Sequence, residues 1–236
     1  MSPGHSSRDG DNYSLGLNLG DAPEIEEFIG RENELGVMKG YLNPSTASLR
    51  RNVVVLTGLG GIGKTQLAIS FAKQHSMEYS AVFWLNAKSE NSLKQDFAAM
   101  MATIPGLDLP QQRATTAAAY GKGEIVEQVR QWLSKPGNSR WLLILDNYDN
   151  PLLSQTNADP EAYDLKLYFP SKHQGSIIIT TRSSRWTVGK QIKLKNFDDI
   201  KLSLSILAIT SCRAEARTGQ IFSQPVQDMI SLLTLF

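Results

Sequence analysis

A parallel α/β sheet with helices on both faces is the fold class that this 236-residue sequence predicts. Four short apolar runs, NVVVL, AVFWLNA, WLLILD and SIIITT, have the length and unbroken hydrophobicity of strands covered on both sides. Between the first three runs lie stretches with apolar residues at helical spacing, and such alternation builds parallel sheets through right-handed crossovers. Hydrophobic residues make up 41% of the chain, enough for a buried core in a domain of this size.

Residues 1–24 are rich in Ser, Gly, Asp and Asn without periodicity and read as a flexible tail. A turn at Gly30 then leads into a short helix with Leu35, Met38 and Leu42 on one stripe. NVVVL (52–56) is the first strand, and a glycine-rich loop follows it. Leu67, Ala68, Phe71 and Ala72 next fall at helical spacing, which sets Thr65 near a helix N-terminus. AVFWLNA (81–87) is the second strand. Ser89 is placed to cap a helix carrying Leu93, Phe97, Met100, Met101 and Ile104, which PGLDLP ends. Residues 121–134 repeat the helical pattern with Ile125, Val129, Trp132 and Leu133, and WLLILD (141–146) is the third strand. A polar connection containing Pro151, Pro160 and Pro170 leads to SIIITT (176–181), the fourth. No internal repeat is visible.

Composition narrows the function. Lys and Arg number 24 against 23 Asp and Glu, a net charge of +1, so no bulk field draws the chain to nucleic acid or anionic lipid. With one cysteine, Cys212, and three histidines, His5, His75 and His173, no internal disulfide and no metal cluster is expected. The first residues lack the apolar core of a signal peptide, and no apolar run approaches the ~20 residues that span a bilayer. A soluble, cytoplasmic domain is the expectation.

The stretch VVVLTGLGGIGKTQLAISFA (53–72) carries the chemistry. Gly58, Gly63, Lys64 and Thr65 satisfy G-x-x-x-x-G-K-[ST] between a strand and a helix, the pattern of a phosphate loop. Several backbone N–H groups must approach a polyphosphate at once, which requires curvature and positive φ; glycines, here including Gly60 and Gly61, permit both. The helix N-terminus adds free donors and partial positive charge. Lys64 would lie along the β- and γ-phosphates and the Thr65 hydroxyl would reach Mg²⁺. A bare glycine turn with an exposed lysine is the competing reading.

A second Mg²⁺ partner is expected at the end of an apolar strand, and Asp146 closes WLLILD. Taken alone, an Asp there would be a turn residue; the phosphate loop upstream favours the metal role. Asn147 follows, where many hydrolases of this type place an acid, and an amide positions water without taking its proton. Asp149 has the same strand parity but lies farther along. Slow hydrolysis is therefore expected. Arg182 ends SIIITTR at the strand edge where ligands bind in open α/β sheets. It reads equally as a γ-phosphate contact or a solvated loop arginine.

Taken together, FIGRENEL, the phosphate-loop stretch, VFWLNA, LLILDNYDN and GSIIITTRS resemble the NB-ARC family of signal-transducing ATPases, the nucleotide switches of NOD-like receptors and plant resistance proteins. The layout DNYDNP…YFPSKHQGSIIITTRS is most similar to receptors of filamentous fungi, and the resemblance spans about residues 25–210. It implies ATP or ADP with Mg²⁺ as cofactors. Phe28, Ile29, Gly30 and Arg31 match the stretch bordering the adenine, and Gly58, Gly60, Gly61, Ile62, Gly63, Lys64, Thr65 and Gln66 match the phosphate loop and its continuation. Asp146 matches the Mg²⁺ acid with Thr65, and Arg182 the γ-phosphate sensor, giving Lys64, Asp146 and Arg182 as the catalytic set.

Two departures stand out. Asn147 replaces an acid common in the family. IKLKNFDDIKLSLSILAITS resembles the link into the family's helical subdomain, whereas residues 212–236 do not resemble it, and the later G-x-P motif has no counterpart. The expected organisation is a tail over 1–24, a phosphate-loop domain over 25–195, and an incomplete helical segment with a divergent tail over 196–236. A binding switch with feeble ATPase activity is the leading reading, with self-association or association with related receptor chains as its output. A truncated interaction fragment, a phosphotransferase and, last, a nucleic-acid motor are the alternatives; no basic stripe supports the motor.

Overall fold

The computed structural model describes residues 13–25, 28–46, 50–107, 122–152, 159–186 and 188–196. Strands β1 (Gly16–Asn18), β2 (Asn52–Thr57), β3 (Ala81–Asn86), β4 (Trp141–Asp146), β5 (Ser176–Thr181) and β6 (Lys190–Lys193) form one sheet in the order β1-β3-β4-β5-β2-β6. Every pairing is parallel. The helices are α1 (Glu32–Tyr41), α2 (Lys64–His75), α3 (Glu90–Thr103) and α4 (Lys122–Leu133). Residues up to Leu194 make one compact unit, and the expectations for 1–12 and 197–236 lie outside the described residues.

The unbroken apolar runs are explained by two cores, one on each face. Val53 and Val55 of β2, Phe83 and Leu85 of β3, Leu143 and Leu145 of β4, and Ile177 and Ile179 of β5 pack with α3 and α4. Their alternates, Val54, Leu56, Val82, Leu142, Ile144 and Ile178, pack with α1 and α2. A strand whose neighbours on both faces are helices has no polar side to show, so every residue of β2, β4 and β5 is buried.

Local signals fix the ends. Ser89 caps α3 by accepting from the Ser92 backbone N–H at 3.1 Å, and the Ser92 hydroxyl accepts in return from the Ser89 N–H at 3.1 Å. Gly175 immediately precedes β5 at φ +75°, and a Cβ there would lie 2.2 Å from the Trp141 ring. Only glycine lets the chain pass beneath that indole, whose Nε1 donates to the Leu133 carbonyl at 2.9 Å.

Part of the expected flexible tail is instead a strand. Residues 16–18 pair with Ala81, Val82 and Phe83, and the N–H groups of Leu15 and Gly16 donate to the Ser80 carbonyl at 2.8 and 3.1 Å. Main-chain pairing holds this edge while its side chains stay largely exposed, so no apolar pattern announces it. β6 escapes a sequence reading for the same reason, since Ile192 is its single buried residue.

The order has one consequence for function. β5 lies between β2 and β4, so Thr57, Asp146 and Thr181 end neighbouring strands along a single edge. Whatever leaves β2, β4 and β5 at their C-terminal ends meets there.

Candidate nucleotide site

Beyond Thr57 the chain turns through positive φ at Gly58 (150°), Gly61 (75°) and Gly63 (91°). A Cβ on Gly58 would come within 2.9 Å of the Leu194 carbonyl oxygen, so the loop's first step admits no side chain. Gly63 caps α2 without any side-chain hydrogen bond, which leaves the first-turn N–H groups to the space over the loop. Lys64 is the first residue of that helix, and its Nζ curls back to donate to the carbonyls of Gly58 (2.9 Å) and Leu59 (2.8 Å). Partial burial draws its pKa below the ordinary lysine value, Arg182 adds to that, and Asp149 and Asp146 oppose it.

The pair expected to hold a metal is in direct contact. Thr65 Oγ1 donates to Asp146 Oδ1 at 2.7 Å across 81 residues of sequence. Thr180 of β5 donates to the same oxygen at 2.6 Å, and Asn147 Nδ2 donates to Oδ2 at 3.0 Å. Asp146 is 1% exposed, and burial raises its pKa, opposed by the two hydroxyl bonds and by Lys64. A buried carboxylate whose bonded neighbours are all neutral fits a divalent cation, which would supply the missing countercharge. Among the described residues no cluster of three or more His, Cys, Asp or Glu could hold a metal. A Mg²⁺ ion would thus take Asp146, the Thr65 hydroxyl and phosphate oxygens, the sparing protein coordination usual for that ion.

Asn147 sits at φ +65°, a left-handed conformation that asparagine tolerates better than most residues, and its N–H donates to Thr180 Oγ1 at 2.9 Å. Its amide is engaged with Asp146, not extended over the loop.

A cleft of about 660 Å³ opens above these groups. Gly60, Gly61, Gly63, Lys64, Thr65 and Gln66 form one wall. Asn147, Asp149, Asn150, Arg182 and Lys88 form the other. Arg182 Nε pairs with Asp149 Oδ2 at 2.5 Å, and its backbone N–H donates to Asp149 Oδ1 at 2.6 Å.

Not every expected residue faces this space. Gly58 and Ile62 belong to the loop but turn inward, Ile62 packing on the core beneath α1 and α2. Phe28, Ile29, Gly30 and Arg31 do not line the cleft. Phe28 packs on that same core, and Arg31, at φ 68°, pairs with Glu34 at 3.0 Å and reaches the Ile62 carbonyl at 3.4 Å. Arg31 thus meets the loop at Ile62. Sequence reasoning missed Lys88, two residues beyond the end of β3, and Thr180, a polar residue inside a buried strand.

A glycine loop between a buried strand and a helix, with a lysine and a hydroxyl on one cleft and a buried strand-end acid bonded to that hydroxyl, defines a phosphate-loop nucleotide-binding domain. The fold has a counterpart in the crystal structure of Cdc6p from Pyrobaculum aerophilum, which matches at a TM-score of 0.52 with 12% identity over 80% of this chain and 51% of that one. The chain belongs to the NB-ARC family, whose domain matches residues 32–204. A nucleotide-binding leucine-rich repeat (NLR)-like protein of the fungus Hyaloscypha variabilis is 28% identical over 166 residues, covering 67% of this chain and 16% of that protein. An uncharacterized WD repeat-containing protein of Nostoc sp. is 27% identical over 180 residues, covering 69% of this chain and 13% of its own length. The chain thus spans well under a fifth of the curated relatives it matches. No helix among the described residues is long and apolar enough to cross a membrane.

Proposed function

We propose that this domain is the ATP/ADP switch of an NLR-type signalling protein, located in the cytoplasm and signalling through association with its own kind or related receptor chains. The observation that carries the reading is the convergence of Lys64, Thr65 and Arg182 on one cleft at the ends of β2, β4 and β5, with Asp146 buried behind Thr65 and bonded to its hydroxyl. Lys64 and the α2 N-terminus would hold the β- and γ-phosphates, and Thr65 and Asp146 would hold Mg²⁺. A bound Mg²⁺ supplies charge neutralisation between the phosphates. Arg182 stands at the far wall on a long exposed side chain, where it would distinguish a third phosphate from its absence.

Hydrolysis is proposed to be slow. Asp149 is the one carboxylate among the described residues lining the cleft, and it is bound to Arg182. Asn147 has no basic site to receive a proton from water. With little turnover, differential affinity of the two conformational states for ATP and ADP becomes the output.

Hydrogen exchange on the protein with MgADP and with a non-hydrolysable MgATP analogue tests the switch. Protection around Arg182 and the loop after β5 should differ between the two nucleotides. Identical protection everywhere would leave a nucleotide-binding domain that does not switch.

A further inference from the structure

Arg182 reaches the cleft with one of its three guanidinium nitrogens committed. Nε is paired with Asp149 Oδ2, and the backbone N–H of the same arginine is held by Oδ1. Asp149 therefore grips Arg182 at both ends of its side chain, which a surface ion pair between mobile groups does not do. The backbone that carries Asp149 is held in place. The Asp149 N–H donates to the Asn147 carbonyl at 2.8 Å, and the adjacent Tyr148 is fully buried, donating its N–H to the Thr180 carbonyl (2.9 Å) and its hydroxyl to the Tyr163 carbonyl (2.7 Å). Arg182, by contrast, is 64% exposed at its side chain, against 24% for Asp149.

The two terminal nitrogens of Arg182 bond to no described residue, and its stem passes the loop at Gly60, where a Cβ would be 3.8 Å from Cδ. A guanidinium held through Nε presents the Nη1–Nη2 fork, the geometry that engages two oxygens of a phosphate. An unrestrained arginine would lose considerable rotamer freedom on doing so.

We infer that Asp149 is the positioning residue that sets the ATP-over-ADP preference of this site, by holding Arg182 with its terminal nitrogens turned to the third phosphate. The inference rests on the nucleotide reading above. A carboxylate beside the cleft also repels every phosphate, so Asp149 lowers the affinity for both nucleotides by its charge while favouring ATP through Arg182. That repulsion weighs more on ATP, which carries the extra phosphate, so a ratio that falls when the Asp149 charge is removed, and falls only while Arg182 is present, isolates the positioning effect.

Asp149→Asn is the informative variant. Its amide oxygen can still accept the Arg182 N–H, which keeps the loop, while its NH₂ group faces Nε as donor against donor and releases the side chain. Dissociation constants for MgADP and for a non-hydrolysable MgATP analogue are measured on the parent chain, Asp149→Asn, Arg182→Ala and the double variant. Asp149→Ser serves as a second variant, and nucleotide-free melting curves confirm that each folds. The ATP-to-ADP affinity ratio should fall about two- to fivefold in Asp149→Asn, the range that an exposed ion pair supplies. It should fall about tenfold in Arg182→Ala, with no further loss in the double variant. A ratio that is unchanged, that rises because Asp149 competes with phosphate, or that falls equally when Arg182 is absent would overturn the inference while leaving the nucleotide site standing. Failure of the folded parent chain to bind either nucleotide would remove the site and the inference together.

Discussion

Thr65 and Asp146, 81 residues apart, share a hydrogen bond of 2.7 Å that ties the first turn of α2 to the end of β4. The bond makes the acid part of the phosphate loop's support, and it places a buried carboxylate where its bonded partners carry no charge.

Asp146→Asn should therefore separate stability from ligand response. Burial raises the folded-state pKa of Asp146, so the folded chain binds a proton more tightly than the unfolded one. In chelator without nucleotide, parent stability should fall as pH rises from the unfolded value of 3.8 through the raised folded value, and the penalty should persist above it. The amide variant lacks that slope and should equal or exceed the parent in stability at neutral pH by about 1 kcal/mol. Its Mg²⁺-dependent stabilisation by nucleotide should be lost. Denaturant titrations across pH 4–8 check both, and a matching slope in the variant would contradict the first.

Thr180 links two groups at once, accepting from the Asn147 N–H and donating to Asp146. Thr180→Val keeps the shape and removes both bonds inside a fully buried strand. It should cost about 1–3 kcal/mol, and Thr180→Ser should recover most of that. Equal losses in the two variants would mean that packing, not the hydroxyl, is what matters there.

Position 147 tests the proposal of slow hydrolysis. Asn147→Asp introduces a carboxylate next to the cleft that can take a proton from water. We expect ATP hydrolysis to rise about tenfold or more, toward the low end of what a positioned base contributes. An unchanged rate would show that chemistry is limited elsewhere, for example by conformational steps.

Gly175→Ala tests the sheet beneath the site. The added methyl meets the Trp141 ring at 2.2 Å from a backbone at φ +75°, so both sterics and conformation oppose it. A loss of about 2–4 kcal/mol in chemical unfolding is expected. A substitution costing less than about 0.5 kcal/mol would mean that the indole relocates freely.

Much of this was legible in the sequence because burial on two faces leaves no ambiguity of pattern. WLLILD and SIIITT are strands over the same residues as β4 and β5, and Ser89 caps α3 as its chemistry requires. The loop was legible because glycine, lysine and threonine each answer a separate demand of phosphate. The edges were not: β1 and β6 are held by main-chain bonds, and their exposed side chains carry no period. Nor was the pairing of Asp149 with Arg182, because it joins two loops whose approach is set by β5 lying beside β4. The hydrogen bond from Arg31 to the Ile62 carbonyl was not legible either, because it joins residues 31 apart in sequence.

A thermal-unfolding titration with MgATP and MgADP, on the parent chain and on Lys64→Ala, tests the nucleotide site most directly. Lys64 Nζ bonds to loop carbonyls alone, so its removal should leave the fold intact. Nucleotide at a hundred times its dissociation constant should stabilise the parent by ~2.7 kcal/mol and leave Lys64→Ala unmoved at the same concentration. A folded parent that shifts with neither nucleotide, or a variant that shifts as far as the parent, would contradict the assignment of this cleft.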